Sequence, residues 1–315
     1  MNFSRNIINP KTKSSMTQDQ ILFKKYLSTQ FSGLIDPIGV KYLDYIVVEP
    51  EGPLWNMLDY PTNSLNEEYF EWLELLKSVE NAKNNFVFVE LGAGFGKWSA
   101  RAYKACLLNN INNIRLIVVE GEPQHAQWLK EHLRYNNIPS NSIIFEEALI
   151  SNYDGTGEIM VYDGNGLNGS RTSKNWYGQY HIPSANKEDI LIRNTYLDKE
   201  LLVDRHGICR VVCNTITIET LLKTIPIVDL LNIDIQGSEY ISIHKNLEII
   251  NTKVKKLYVS THSTEIDNLL YNMMASLNWK CIHAYPFQFQ GDTEFGYIKF
   301  GDGVQVWENP KYFEK

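Results

Sequence analysis

The feature that most restricts this chain is a run of three alternating glycines, Glu90-Leu91-Gly92-Ala93-Gly94-Phe95-Gly96. It joins two stretches of different rhythm. Before it, FVFVEL (86–91) is a nearly continuous apolar run of β-type residues. A parallel strand covered by helices on both faces has this pattern. After it, residues 97–109 carry helical spacing. The alternation then continues. IRLIVVE (114–120) reads as a strand, PQHAQWLKEHLRYNN (123–137) as a helix and SIIFEEALI (142–150) as a third strand. Strand and helix in strict turn build a parallel α/β sheet.

From 151 to 210 the alternation stops. YDGTG and YDGNGLNGS are turn signals, and the chain stays polar to about residue 190. This segment is expected to be irregular. Within it, 163–190 holds Gly164, Gly166, Gly169 and Gly178 among Trp176, Tyr177, Tyr180 and His181, which suits a lid over an acceptor site. RVVCNTITIETLLKT (210–224) then reads as strand and short helix. VDLLNIDIQ (228–236) and KKLYVSTH (255–262) read as buried strands, and TEIDNLLYNMMASL (264–277) as a helix. WKCIHAY (279–285) and EFGYIKFGDGVQVW (294–307) form a closing β-hairpin pair. At the other end, residues 1–20 are polar and expected to be poorly ordered. EEYFEWLELLKSVE (67–80) places Phe70, Leu73, Leu76 and Val79 on one helical face. The chain thus divides into a partly helical N-terminal extension over 1–80 and a main domain over 81–315.

Composition removes several classes of function. Lys and Arg number 30 and Asp and Glu 37, a formal net charge of −7. Non-specific nucleic-acid affinity comes from cationic side chains displacing counterions, so a nucleic-acid partner is disfavoured. Cys106, Cys209, Cys213 and Cys281 form no CxxC pair and read as free thiols. The N-terminus has no apolar core of a secretory signal, and no apolar stretch approaches the ~18 residues of a bilayer span. A cytoplasmic protein without a membrane span is expected.

The chemistry gathers where strands end. Glycines let a ligand approach the main chain, and the helix behind them offers unpaired N–H groups. Dinucleotide sites favour G-x-G-x-x-G with pyrophosphate on the helix N-terminus. Here the spacing is G-x-G-x-G and Glu90 precedes it, which would repel a pyrophosphate. An acid there suits a ligand with an ammonium and a sulfonium, and S-adenosylmethionine has both. A nicotinamide-dependent oxidoreductase is the second enzyme reading. Glu120, ending the second strand, would accept the ribose hydroxyls, and Glu147-Ala148, ending the third, lies where adenine would fall. Asp234 ends an otherwise apolar strand, and His262 ends the next one. His262 is the candidate general base for a hydroxyl acceptor, with an ordinary pKa of about 6.5. Alternatively Asp234 and His262 hold a divalent cation, Mg or Mn, that acidifies the hydroxyl. His125 and His132 lie on a helix read as exposed, and His244 and His283 read as structural. His181 and His206 reach the site if the 151–210 segment folds over it.

VELGAGFGKW (89–98), VVEGEP (118–123), EEALISNYDG (146–155), NIDIQGSEY (232–240) and VSTH (259–262), in this order, resemble the FkbM family of S-adenosylmethionine-dependent methyltransferases. The resemblance covers about 86–265. It implies a class I methyltransferase fold, Rossmann-like, with a seven-stranded mostly parallel sheet and an antiparallel C-terminal hairpin. It implies that Glu90, Gly92, Gly94 and Gly96 line the methionine end, that Glu120 holds the ribose and that Asp234 sits near the reacting centre. It also implies O-methylation of a hydroxyl on a sugar, glycan or other natural product. GAGFG replaces the commoner GAN-type turn of that family. The amino-methylating nucleic-acid enzymes carry [Asn/Asp]-Pro-Pro-aromatic where this chain has DIQG, and no cysteine here follows a proline. A non-catalytic S-adenosylmethionine-binding protein is the reading from another class. Loss of Asp234 or His262 would have favoured it, and both are present.

Overall fold

The computed structural model describes residues 6–28, 34–43, 65–161, 181–182, 190–293 and 296–313. Helix α1 (Lys13–Tyr26) starts on a reciprocal cap between Thr12 and Ser15. Helix α2 (Glu67–Asn81) starts at Asn66, whose side chain accepts from the Tyr69 N–H at 3.0 Å. Then follow β1 (Asn85–Leu91), α3 (Lys97–Leu108), β2 (Asn113–Val119), α4 (Pro123–Tyr135) and β3 (Ile143–Glu146). Six strands come next: β4 (Leu149–Ile150), β5 (Gly155–Met160), β6 (His181–Ile182), β7 (Ile190–Tyr196), β8 (Lys199–Asp204) and β9 (Cys209–Ile216). The alternation resumes with α5 (Ile218–Leu222), β10 (Val228–Ile233), α6 (Glu239–Lys245), α7 (Leu247–Lys253), β11 (Val254–Thr261) and α8 (Thr264–Ser276). The chain closes with β12 (Lys280–Tyr285), β13 (Gln290–Thr293), β14 (Gly296–Lys299), β15 (Gly303–Glu308) and α9 (Pro310–Phe313).

The main sheet runs β12-β15-β11-β10-β1-β2-β3. Its five strands from β11 to β3 are parallel, and β15 lies antiparallel between β11 and β12. This strand order and its reversed last hairpin are those of the Rossmann-like class I methyltransferase fold, as expected from the sequence. Strand β10 is buried along its whole length and β1 at all but its first residue, because both faces are covered. Phe70, Leu73 and Leu76 of α2 pack with Phe88, Leu116 and Leu230 on one face. Leu222, Ile243 and Leu270 pack with Val89, Leu231 and Val259 on the other. Lys256 of β11 is buried under α2, with Nζ 2.6 Å from Glu74 and 3.4 Å from Glu308.

Four expectations are corrected. The 151–210 segment is not irregular where it is described. It forms a second sheet, β6-β5-β9-β8-β7, antiparallel throughout, with β4 paired parallel to β9. Residues 13–20 are not loose, since they begin α1, which buries Met16, Phe23 and Tyr26. The stretch 294–307 is not one strand. It is broken at 300–302, so that β15 pairs with β12 while β13 and β14 make a separate hairpin. His125 and His132 are not exposed; both are buried on the inner face of α4. Of the 163–190 lid, residues 163–180 and 183–189 lie outside the described residues. Cys106, Cys209 and Cys213 are buried free thiols, and Cys281 is a partly buried one. Among the described residues, no helix is long and apolar enough to cross a membrane.

Candidate functional site

The strand order reverses between β1 and β10, and open α/β sheets bind ligands in the crevice outside such a reversal. A cleft opens there. Its wall contains Gly92, Gly94, Glu120, Ala148, Asp234 and Asp302, with Gln236, His125 and His181 among the rest. The space between its walls, open solvent at the mouth included, is about 770 Å³.

The turn after β1 is shaped by close backbone approach. Gly92 has φ +78°, and a Cβ there would sit 1.8 Å from the Asp234 carbonyl oxygen. The Asp234 N–H donates to the Leu91 carbonyl at 2.9 Å, so the loops after β1 and β10 are joined at the floor of the cleft. Gly94 turns its N–H across to Glu120 Oε2 at 2.7 Å. Gly96 faces away, against Leu129 and Leu133 of α4, and begins α3 rather than lining the cleft.

The candidate acids divide. Glu120 lines the cleft, and its second oxygen accepts from the Glu122 N–H at 2.7 Å. Burial, with the neighbouring Glu122 charge, pushes its pKa up to about 8 against the backbone N–H donors of Glu122, Gly94 and Gly121. Glu90 is buried behind the turn. It accepts from the Ser99 N–H at 2.9 Å and from the Ser99 hydroxyl, at the N-terminus of α3, and burial pushes it up to about 7. Glu147 turns outward to Lys199 at 2.9 Å and Lys130 at 3.1 Å, leaving Ala148 as the member of that pair on the cleft wall. The structure therefore brings together Gly92, Gly94, Glu120, Ala148 and Asp234, and leaves Glu90, Gly96 and Glu147 outside the lining.

Beyond Asp234 the chain turns sharply, with Gln236 in the left-handed region at φ 52°. Gln236 donates to Asp234 Oδ1 at 3.0 Å, and its amide lies 2.7 Å from His262 Nε2. His262 Nε2 is 3.3 Å from Asp234 and 3.6 Å from Asp302, and its Nδ1 is 2.7 Å from the fully buried Glu239. Burial alone would lower the ring's pKa. Hydrogen bonds and charges from Asp234 and Glu239 outweigh it and raise the pKa to about 11. A raised pKa favours the doubly protonated ring, which would hold these carboxylates rather than take the acceptor's proton. Burial likewise works against the Asp234 charge, but His262 and Gln236 outweigh it and hold its pKa below the usual range. Among the described residues, no group of three or more His, Cys, Asp or Glu is arranged to hold a metal ion. His262 meets carboxylates on both nitrogens, and the Asp234–His262 cation site gains no third ligand.

The second sheet supplies the opposite wall. Ile159 and His181 line the cleft from β5 and β6. The tip of the β7–β8 hairpin reaches back to the rim, where the Tyr196 hydroxyl donates to Glu122 at 3.2 Å and Lys199 meets Glu147. His206 sits at an exposed turn and does not line the cleft. His125 and Asp302 are among the wall residues that the sequence did not single out. His125 occupies the same helical face as Trp128, Leu129 and His132, an i, i+3, i+4, i+7 spacing that was available as a signal. Asp302 lies in a short turn remote from every motif, and nothing in its local sequence marks it.

No protein-family model matches the chain. Over 209 residues it is 28% identical to a protein of Jannaschia sp. (strain CCS1) that carries the provisional name of a methyltransferase. That match covers 66% of this chain and 67% of the relative. Among solved structures it is similar to methyltransferase FkbM from Methylobacillus flagellatus KT, at 11% identity and TM-score 0.41, over 93% of this chain and 59% of that one. It is also similar to precorrin-6y C5,15-methyltransferase from Geobacter metallireducens GS-15, at 10% identity and TM-score 0.40, over 76% and 87%. Likeness this distant says nothing of activity, and the fold rests on the strand order itself.

Proposed function

We propose that the chain is an S-adenosylmethionine-dependent methyltransferase whose acceptor is a hydroxyl on a sugar, glycan or other natural product. The observation that carries this is the acid lining of the cleft. Glu120, Asp234 and Asp302 line it, and no Lys or Arg stands among its described lining residues. A pyrophosphate would meet neither there, whereas a ligand bearing an ammonium and a sulfonium finds carboxyl groups that ionise on meeting its charge. The nucleoside would lie with its ribose on Glu120 and its base against Ala148, Leu149, Ile150 and Ile159. The methionine end would follow the Gly92–Gly94 turn towards Asp234. Bound there, the cofactor would supply a methyl group already activated by its positive sulfur. The chain's own work is then to align the acceptor, hold it near Asp234 and receive its proton. The provisional name of the Jannaschia relative supports the methyltransferase reading, and the FkbM-like motifs support the hydroxyl acceptor.

Calorimetric titration tests this directly. S-Adenosylhomocysteine should bind and raise the melting temperature by mass action, and NAD and ATP should do so far less. Gly94→Val should abolish the binding, because it places a branched side chain where the ligand approaches and at φ +55°. Binding of NAD with none of S-adenosylhomocysteine would overturn the reading.

A further inference from the structure

Both ring nitrogens of His262 are engaged by carboxylates, Asp234 at 3.3 Å and Glu239 at 2.7 Å, so the acceptor's proton needs another destination. We propose that Asp302 is the general base of the methyl-transfer step and that His262 positions its carboxylate, an inference that rests on reading the cleft as a methyl-transfer site. Asp302 lines the same cleft as Gly92, Gly94 and Asp234. Its Oδ1 is 3.6 Å from His262 Nε2, and its side chain is 37% exposed, so it faces both cleft and solvent. Its place is fixed from both sides. The backbone N–H groups of Gly301 and Asp302 donate to Glu67 Oε1 in the first turn of α2, at 3.0 Å for Asp302. Immediately after it, Gly303 passes so close to β11 that a Cβ would meet Thr261 Oγ1 at 2.2 Å and the Phe287 nitrogen at 2.9 Å. These two points set the backbone at Asp302, and its carboxylate faces His262 Nε2.

The surrounding charges agree with the role. Burial raises the Asp302 pKa to about 6, helped by Asp234, Glu67 and Glu239 and opposed by His262. A base titrating near the working pH combines the ionised form with useful basicity. Asp234, with its pKa held below the ordinary range, is the weaker base of the two cleft carboxylates. Glu239 is fully buried beside His262 and does not line the cleft.

The step balances. The acceptor oxygen forms a bond to the methyl carbon as the carbon–sulfur bond breaks, and the bonding pair stays on sulfur, which becomes a neutral thioether. The hydroxyl proton passes to an Asp302 oxygen and leaves to solvent through the exposed edge of that side chain.

The test uses wild type, Asp302→Asn and His262→Gln. Carbon-13 carboxyl titration, assigned by difference against Asp302→Asn, should give a midpoint near 6. That midpoint should move upward in His262→Gln, which removes the favourable charge of His262 beside Asp302. Asp302→Asn is compared with wild type at saturating S-adenosylmethionine, so that a change in cofactor affinity does not enter the comparison. The variant should transfer tritiated methyl groups to an extracted glycan fraction about 10²–10⁴-fold more slowly, without the wild-type fall at acid pH. A midpoint at or below about 4, the ordinary value for Asp, overturns the proposal without any acceptor. So does undiminished transfer by Asp302→Asn. Wild type that fails to bind S-adenosylhomocysteine overturns the methyltransferase reading, and this proposal with it. Normal cofactor binding with unimpaired Asp302→Asn turnover removes the base assignment alone.

Discussion

At the scale of single residues, Glu120 concentrates the behaviour expected of the cofactor site. Only its ionised form can accept from two ribose hydroxyls, and its pKa of about 8 leaves it largely protonated when the cleft is empty. Binding should therefore expel a proton. Affinity for S-adenosylhomocysteine should rise from pH 6 to pH 9, as calorimetry in buffers of different ionisation enthalpy will show. Glu120→Gln should weaken binding about 10- to 100-fold, the worth of hydrogen bonds to a charged group, and remove the pH trend. An affinity flat across that range would count against a ribose on Glu120. The sequence made Glu120 and Asp234 legible because each ends a buried strand. It could not tell which way a strand-end carboxylate turns. Glu90 closes onto the N-terminus of α3, and Glu147 onto Lys130 and Lys199, because those partners come from elsewhere in the fold. For the same reason His262 was legible in place but not in charge. Its two carboxylate partners, Asp234 and Glu239, lie 28 and 23 positions earlier in the chain.

At the scale of elements, the parallel strands were legible because burial on both faces leaves an unbroken apolar run. The second sheet was not. Its β5 contains two glycines, GTGEIM, and its β7–β8 hairpin turns on Leu197-Asp198 at φ 47° and 65°. A two-residue turn of that shape ordinarily announces itself with Asn-Gly. The N-terminal helices show how much the sheet depends on what precedes it. Glu74 of α2 and Lys256 of β11 form a buried pair at 2.6 Å. Glu74→Ala should cost about 3–5 kcal/mol in urea unfolding, because it strips a buried cation of its nearest partner. Lys77→Ala, on the exposed side of the same carboxylate, should cost less than about 1 kcal/mol. Equal losses would mean that the Glu74–Lys256 contact does not hold α2 to the sheet.

At the scale of the whole molecule, several buried acids share one direction of shift. Glu90 and Glu122 rise to about 7, Glu120 to about 8 and Asp302 to about 6, each chiefly through burial. These acids hold protons in the folded chain that the unfolded chain releases between about pH 4 and pH 8, so their share of the stability falls as pH climbs through that window, while His125 and His132, which burial pulls down to about 3 and about 4, oppose it below about pH 6.5. His262 adds to the fall: its stabilisation is complete below about pH 6.5, declines as pH climbs above that and is gone near pH 11. The melting temperature of the ligand-free protein should drop from pH 5.5 to pH 8.5 in scanning calorimetry, and a constant or rising value would contradict the burial of these acids. The second sheet has a consequence of another kind. Leu149 pairs with Thr215 and Ile150 with Ile216, while Gly155 returns to Thr215, so the chain departs and comes home at one doorway. An annex hung from a doorway of fixed width puts no strain on the house behind it. Chain added at the exposed Arg205-His206 turn lengthens the annex and leaves the parallel frame as it was. These rooms can thus grow at their far end while the strands that carry Glu120 and Asp234 keep their places.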